Sequence, residues 1–194
     1  MEPLVIPVAS SEQARAVLVA GADCLIVNAA LQSPSCSTYA MLCHEYGAGL
    51  VLDYGLTQET PETQHSFKPD VLHEVDNVFS NMLRDAAETG LAQEAVILGL
   101  RLAWSNQAAC EKSLRLCAHV RRFHAHGRPL LLTDFPCTDD GSSVENVMDG
   151  GAESQTAHVV SRIVHGILAG VQLFHTQNVH AACATIRTIG AVLS

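Results

Sequence analysis

The stretch RRFHAHGRPLLLTDFPC (Arg121–Cys137) contains the transition that decides how the whole chain is interpreted. A basic helix end runs into Gly127, Pro129 restarts the chain, and three leucines form a short apolar strand that ends in polar residues. Glycine and proline are the residues that most often end a helix and begin a new segment. A short apolar strand that follows a helix in this way is typical of an α/β protein.

The same helix-to-strand transition recurs along the chain. The clearest helical pattern, residues 69–90, repeats apolar residues at helical spacing on one face. Strands are predicted near residues 4–8, 24–28, 50–54, 95–101, 130–134 and 171–175. Strict alternation of short apolar strands with helices predicts a parallel sheet with helical crossovers. The chain is therefore predicted to hold six β/α units.

Two architectures are compatible with six such units, an open doubly wound sheet and part of a (β/α)8 barrel. No Gly-x-Gly-x-x-Gly follows the first predicted strand, so the nucleotide-binding form of the open sheet lacks its main signature. Six units are two fewer than a standard barrel contains. We therefore expect a cleft between the first and last strands instead of a closed barrel.

Composition excludes several classes of function. The 194 residues are 48% hydrophobic and carry a formal net charge of −9, which argues against general nucleic-acid binding. No apolar run is long enough to predict a membrane span. The seven cysteines are scattered and form no CxxC pair, which favours reduced thiols on helix core faces in a cytoplasmic protein. We expect no metal site, because no ligand pair has the usual short zinc spacing.

Most of the chain resembles a known family. The segments that carry the resemblance are ARAVLVAGADCLIVN (14–28), PETQ (61–64), DVLHEVDNVFSNMLRDAAETGLAQEAVIL (70–98) and KSLRLCAHVRRFHAHGRPLLL (112–132). They are similar to the pterin-binding barrel family, most closely to dihydropteroate synthases, and the segment 112–132 is the most specific. The resemblance implies a partial TIM-type barrel made of the last six of eight β/α units. It also implies a single domain over residues 1–194 that lacks the first two units.

The resemblance further implies an activity. The family condenses p-aminobenzoate with a dihydropterin diphosphate, a transferase reaction of folate biosynthesis, and holds the pterin at the strand ends of the barrel mouth. It uses Mg²⁺ with the diphosphate substrate. The part of the chain expected to hold that ion has no counterpart here, so we expect no cofactor.

The family's own site residues are largely replaced. The strand that ends in Ser-Arg-Lys in the family ends in Thr133-Asp134-Phe135 here, and the final Arg-x-His is left only as Phe174 and His175. An ionised Asp accepts hydrogen bonds and cannot imitate a donating Lys, and it repels a diphosphate. These departures predict a chain that is catalytically degenerate by itself, a pseudoenzyme.

Polar residues nevertheless end most of the predicted strands. In parallel α/β folds, ligands bind at the carboxyl ends of the strands. The candidate ligand-binding residues are Asn28, Asp53, Arg101, Asp134 and His175. The carboxylates and the imidazole could perform acid–base work, and Arg101 could hold an anion. The alternative is that these are solvent-facing loop residues without a role, and no residue is assigned as catalytic.

Three hypotheses of function follow. The first is a degenerate dihydropteroate synthase-like protein that binds a pterin or a related small molecule. The second is an active pterin-binding transferase, of the dihydropteroate synthase or the methyltetrahydrofolate methyltransferase type, completed by another chain. The third is a non-catalytic protein that docks on a full-length relative or forms a homo-oligomer, because the edges of an unclosed sheet favour pairing.

Overall fold

A parallel sheet of six strands, arranged in the order in which they occur in the chain, forms the centre of the protein. The computed structural model describes residues 2–29, 35–55, 70–102, 107–134 and 152–193. The strands are β1 (Val5–Pro7), β2 (Cys24–Asn28), β3 (Gly49–Gly55), β4 (Val96–Leu102), β5 (Leu130–Asp134) and β6 (Leu173–Thr176). All five strand pairs are parallel. The predicted α/β fold, a partial TIM-type barrel of six β/α units, is confirmed.

A helix follows each strand. The helices are α1 (Ser11–Val19), α2 (Cys36–Tyr46), α3 (Val71–Glu88), α4 (Gln107–Ala118), α5 (Ala152–Leu168) and α6 (Val179–Leu193). Local signals in the sequence account for several of their ends. Ser10 caps α1 by accepting a hydrogen bond from the backbone N–H of Gln13, and Gly47 ends α2 in the left-handed conformation at φ +65°.

One helix boundary differs from the prediction. The helical pattern before Gly127 predicts a single helix, but α4 ends at Ala118 and the chain continues as a 3₁₀ helix over Val120–His126. Within it Val120 and Phe123 are fully buried. Their spacing of three residues matches the period of a 3₁₀ helix, in which residues i and i+3 lie above one another. The two buried side chains therefore lie on one face of this helix.

The two faces of the sheet pack against different neighbours. Alternate strand residues such as Leu52, Leu98 and Leu132 join the helix side chains in the main core, and α3 adds Val75 and Phe79. The strand residues between them point to the concave face, which corresponds to a barrel interior. There they form a smaller cluster of Cys24, Ile26, Val51 and Leu131, with Ile97 packed against them. Period-two alternation along each strand thus fixes which residues line the concave face.

The barrel is open. The strand order runs from β1 to β6, and β1 and β6 do not pair with each other in the described sheet. The predicted cleft is therefore confirmed. We refer to the free edges of β1 and β6, with the helices α1 and α6 beside them, as the open edge.

The cysteines follow the prediction in part. Cys36 and Cys43 on α2 are buried and their thiols donate to backbone carbonyls, Cys43 to Gly49 at 3.3 Å. Burial raises the pKa of Cys36 to about 11 and that of Cys43 to about 12, so both remain thiols at neutral pH. Cys183 departs from the prediction, because it lies exposed on α6. No helix in the described ranges is long and apolar enough to cross a membrane.

Candidate functional site

The carboxyl ends of the strands carry a group of polar residues on the concave face. The register aligns Asn28 of β2 with Asp53 of β3, and Arg101 of β4 with Thr133 of β5 and His175 of β6. Residues in register on adjacent parallel strands project from the same face of the sheet. Four of the five predicted site residues are therefore brought to one edge of the barrel.

A buried ion pair joins two of these residues. The guanidinium of Arg101 donates to Oδ2 of Asp53 from Nε at 2.8 Å and from a terminal nitrogen at 2.6 Å. The side chain of Asp53 is 1% exposed, whereas that of Arg101 is 35% exposed. Burial raises the pKa of Asp53, and the charge and hydrogen bonds of Arg101 oppose that rise. Arg101 therefore opposes the effect of burial on this carboxyl, and its guanidinium lies in direct contact with Asp53.

The second carboxylate oxygen of Asp53, Oδ1, does not take part in this ion pair. Oδ1 is buried and has no hydrogen-bond partner among the described residues. It lies against Gly99, where an added Cβ would stand only 2.7 Å away. Glycine at position 99 is thus what lets the Asp53 carboxylate occupy this place. A buried acceptor without a donor is costly, so a hydrogen-bond donor that reached Oδ1 would stabilise the site. Because Asp53 is 1% exposed, a ligand reaches this atom only when the side chains around it move.

Gly55 lies on the same face of the sheet, in the next row of residues, opposite Arg101. A Cβ at Gly55 would stand 3.7 Å from Cδ of Arg101 and 3.8 Å from the side-chain amide of Asn28. The side chains of Asn28 and Arg101 therefore approach each other across the space above a glycine. An amide and a guanidinium on either side of a glycine are groups that can contact one small ligand together.

His175 completes the group. Its imidazole interacts electrostatically with both Asp53 and Arg101, which places it beside the ion pair. Partial burial lowers the pKa of His175, and the negative charge of Asp53 opposes this effect. At neutral pH the imidazole is therefore neutral, with one nitrogen that donates and one that accepts.

The lowered pKa of His175 predicts a pH dependence of stability. The unfolded state takes up a proton near the ordinary histidine pKa of about 6.5, whereas the folded state takes it up only at lower pH. The free energy of unfolding should therefore fall as the pH drops below about 6.5, and His175→Gln should remove part of that fall. Urea denaturation of both proteins at several pH values between 5 and 8 measures this dependence.

The control for this prediction is His44→Gln, which removes an exposed imidazole from α2. An equal change of slope in both variants would contradict a specific contribution of His175.

The fifth predicted residue, Asp134, is the last residue of β5, in register with Leu102 and Thr176. Its side chain lies outside the described residues, so its role stays a prediction. Thr133 is instead the β5 residue in register with Arg101 and His175, and it is 1% exposed. The sequence interpretation missed Thr133 and Gly99 as parts of the site. Counting alternate positions along β5 would have selected Thr133, and a glycine within an apolar strand signals a close approach.

The polar groups at this edge are amide, hydroxyl, imidazole, carboxylate and guanidinium. Across the described ranges, no group of three His, Cys, Asp or Glu side chains is placed to hold a metal ion. The arrangement is suited to hydrogen bonding of a small polar ligand, with one charge of each sign already paired.

Comparison with known proteins gives a likeness of fold. No protein-family model and no curated protein matches the chain. Solved dihydropteroate synthases do match. The synthase of Clostridium difficile, solved with pteroic acid, matches with a TM-score of 0.79 at 16% sequence identity. The match covers 99% of this chain and 68% of the synthase chain. The synthase of Stenotrophomonas maltophilia, with imidazole in its active site, matches with a TM-score of 0.77 at 21% sequence identity. This match covers 99% of this chain and 69% of the synthase chain.

The dihydropteroate synthase of Yersinia pestis, solved with a sulfonamide drug, gives the same result, with a TM-score of 0.78 at 16% identity and coverage of 99% and 66%. The chain therefore has the fold of these synthases over nearly its whole length and spans about two thirds of theirs. At this level of identity the likeness concerns the fold.

Proposed function

We propose that this chain is a dihydropteroate synthase-like protein that binds a pterin, or a closely related flat heterocycle, and does not catalyse the condensation by itself. The observation that carries the proposal is the convergence of Asn28, Asp53, Arg101 and His175 at the carboxyl edge of the sheet. In parallel α/β barrels this edge is where ligands bind.

The chemistry of the side chains supports a heterocycle with amide and amino groups. Oδ1 of Asp53 is an acceptor without a donor among the described residues, and the amide of Asn28 both donates and accepts. A pterin presents ring N–H, amino and carbonyl groups along one edge, which such a pair can recognise together. The structural likeness to a synthase solved with pteroic acid supports the same class of ligand.

The charges support binding without turnover. Departure of a diphosphate requires cations placed to stabilise it, and such electrostatic effects are usually the largest in catalysis. Among the described strand-end residues only Arg101 has a fixed positive charge, and Asp53 already balances it. His175 is neutral at neutral pH because burial lowers its pKa. The site therefore offers little net positive charge to a leaving diphosphate.

A titration with 6-hydroxymethyl-7,8-dihydropterin tests the binding proposal. We expect saturable calorimetric binding that Asp53→Asn and Asn28→Ala each weaken by about tenfold or more, because the first replaces one acceptor oxygen with an NH₂ donor and the second removes an amide that both donates and accepts. Glu45→Gln, which removes one negative charge from an exposed position on α2, should bind as the unchanged protein does. Circular dichroism verifies that each variant is folded. Absence of binding to the unchanged protein would refute the proposal.

A turnover assay tests the second part of the proposal, that the chain does not catalyse the condensation by itself. With dihydropterin diphosphate, p-aminobenzoate and Mg²⁺, we expect no detectable product from the chain alone, since loss of one preorganised charge contact typically costs about 10²–10³ in rate. Turnover within about a hundredfold of an ordinary synthase, abolished by Arg101→Ala, would show instead that Arg101 acts as a relocated cation.

We also infer a reducing, cytoplasmic location. The six described cysteines are all free, and five of them are buried. Reduced thiols of this kind support a compartment in which disulfides do not form.

A further inference from the structure

A cavity lies at the amino ends of the strands, opposite the candidate functional site. Its volume is about 200 Å³, and it is lined by the last turns of α3, the 3₁₀ turn Gln93–Ala95, the start of β4 and Arg128 before β5. Val96 of the lining is the first residue of β4, whereas Arg101 of the candidate site lies about 16 Å further along this strand. We refer to this space as the amino-end cavity, and it is separate from the candidate site.

Most of the lining of the amino-end cavity is apolar. It consists of Leu83, Ala86, Ala87, Leu91 and Val96, and three of these, Ala86, Leu91 and Val96, belong to the main core. Pockets for drug-sized ligands have volumes of about 300–1,000 Å³. The amino-end cavity is smaller, so it is suited to a molecule of few heavy atoms that has an apolar part.

Two arginines complete the lining. The guanidinium of Arg84 lies 3.7 Å from the carboxylate of Asp85, its neighbour in the chain, and the Arg84 side chain is 66% exposed. Such an exposed pair is weak. Arg128 is partly buried and forms no ion pair in the part of the chain that the structure describes. The cavity therefore has a positive charge without a counter-ion beside its apolar lining.

Arg128 also has hydrogen-bond donors that are not used. One terminal nitrogen donates to the carbonyl of Gly127 at 3.0 Å, and the other donates to Oε1 of Gln93 at 2.6 Å. Each of these nitrogens carries a second hydrogen. The Nε–H is buried and has no acceptor among the described residues, which is costly. Because Nε is shielded from solvent, an anion reaches it only when the Arg128 side chain shifts.

The negative groups of the surrounding segments are capped or turned to solvent. The carboxyl end of a helix carries a partial negative charge, which disfavours anions. In α3 the last carbonyls of Ala86 and Ala87 accept hydrogen bonds from the backbone N–H of Thr89, and its hydroxyl donates to Ala86 as well. Glu88 and Glu94 are exposed. Capping and solvation reduce the repulsion that an anion would meet at the two arginines.

We propose that the amino-end cavity binds a small organic anion, a carboxylate carried on a short apolar body. Arg128 and Arg84 hold the carboxylate, because a guanidinium binds a carboxylate through charge-assisted hydrogen bonds. The apolar body lies against Leu91 and Val96. A neutral apolar molecule would leave the charge of Arg128 without a counter-ion, and an inorganic anion would leave the apolar lining wet. This site does not depend on the proposed pterin site.

Titration of the ¹⁵N-labelled protein with isocaproate, followed by NMR, tests the proposal, because the backbone amides of Leu91 and Val96 report binding at the cavity itself. Isocaproamide has the same apolar body without the charge, and acetate has the same carboxylate without the body. The site variants are Arg128→Gln and Arg84→Gln. The control variant is Arg15→Gln, which removes an equal charge from an exposed position on α1. Circular dichroism verifies the folding of each variant.

We expect saturable shifts with isocaproate, and an affinity that falls about tenfold or more in Arg128→Gln, about threefold in Arg84→Gln and not at all in Arg15→Gln. Isocaproamide and acetate should each bind about tenfold more weakly than isocaproate. Equal affinity for either analogue would overturn the proposal, because the charge or the apolar lining would then play no part. Absence of saturable shifts at Leu91 and Val96 would also overturn it. Arg84→Gln changes only an exposed side chain, so an unchanged affinity in this variant counts against the proposal even if Arg128→Gln does not fold.

Discussion

Replacing Arg101 with leucine is expected to lower the free energy of unfolding by about 3–5 kcal/mol at neutral pH, because it leaves a buried carboxylate without its counter-charge. Asp53 is 1% exposed and cannot be rescued by water, whereas the guanidinium of Arg101 is 35% exposed and can. Asp53→Leu should therefore cost less than Arg101→Leu. Urea denaturation of the two variants compares them directly.

The loss in Arg101→Leu should also depend on pH. Burial raises the pKa of Asp53, and removing Arg101 removes the charge that opposes this rise. Between the ordinary aspartate pKa of about 3.9 and the raised value, the folded state holds a proton that the unfolded state has lost. Stability of the variant should therefore fall as the pH rises through this window.

The double variant Asp53→Asn with Arg101→Leu carries no charge at the pair and provides the control. It should be more stable than Arg101→Leu at pH 8, and its stability should vary less across the window. A cost below about 1 kcal/mol for Arg101→Leu, with no dependence on pH, would mean that the ion pair is worth no more than an exposed surface pair.

Replacing Gly99 with alanine should cost about 1–3 kcal/mol through overpacking. Its Cβ would stand 2.7 Å from Oδ1 of Asp53 and 3.1 Å from Cα of the same residue. The carboxylate can rotate away only by leaving Arg101, and the Cα belongs to the adjacent strand and cannot move independently. We therefore expect the variant to lose both stability and affinity for the dihydropterin.

Gly55→Ala is the matched control for this substitution. Gly55 lies on the same face of the sheet, in the next row of residues, and the atoms nearest its added Cβ are at 3.7 and 3.8 Å, which is ordinary contact. Its effect on stability should stay within about 0.5 kcal/mol. Thermal unfolding of the two variants distinguishes a specific clash at Gly99 from a general intolerance of side chains on this face of the sheet. Equal losses would contradict the clash.

The strands and their direction could be predicted from the sequence. Short apolar runs, such as β3 with a glycine at each end, are separated by helical patterns, and this alternation allows few other topologies. The 3₁₀ helix after Ala118 could not be predicted in the same way. Both an α-helix and a 3₁₀ helix accept the local sequence, because residues three apart, such as the buried Val120 and Phe123, share a face in either one.

The location of the site at one edge of the sheet could be predicted from the sequence, but the contacts between its residues could not. That Asn28, Asp53, Arg101 and His175 share one edge follows from parallel strands. That Arg101 pairs with Asp53 does not follow from the sequence, because the register of β3 against β4 sets the pairing: Asp53 stands opposite Gly99, and Arg101 opposite Gly55. A register slip of one residue would turn Arg101 to the other face of the sheet.

The sequential order of the strands also bears on how the chain folds. Every strand pairs only with its neighbours in the chain, so the described sheet contains no contact between its first and last strands. In a closed barrel that contact joins the most distant parts of the chain, and contacts of this kind slow folding. Without it, the sheet can nucleate at any unit and extend in either direction, as repeat proteins do. The open barrel is therefore expected to reach its folded state faster than a closed barrel built from the same units.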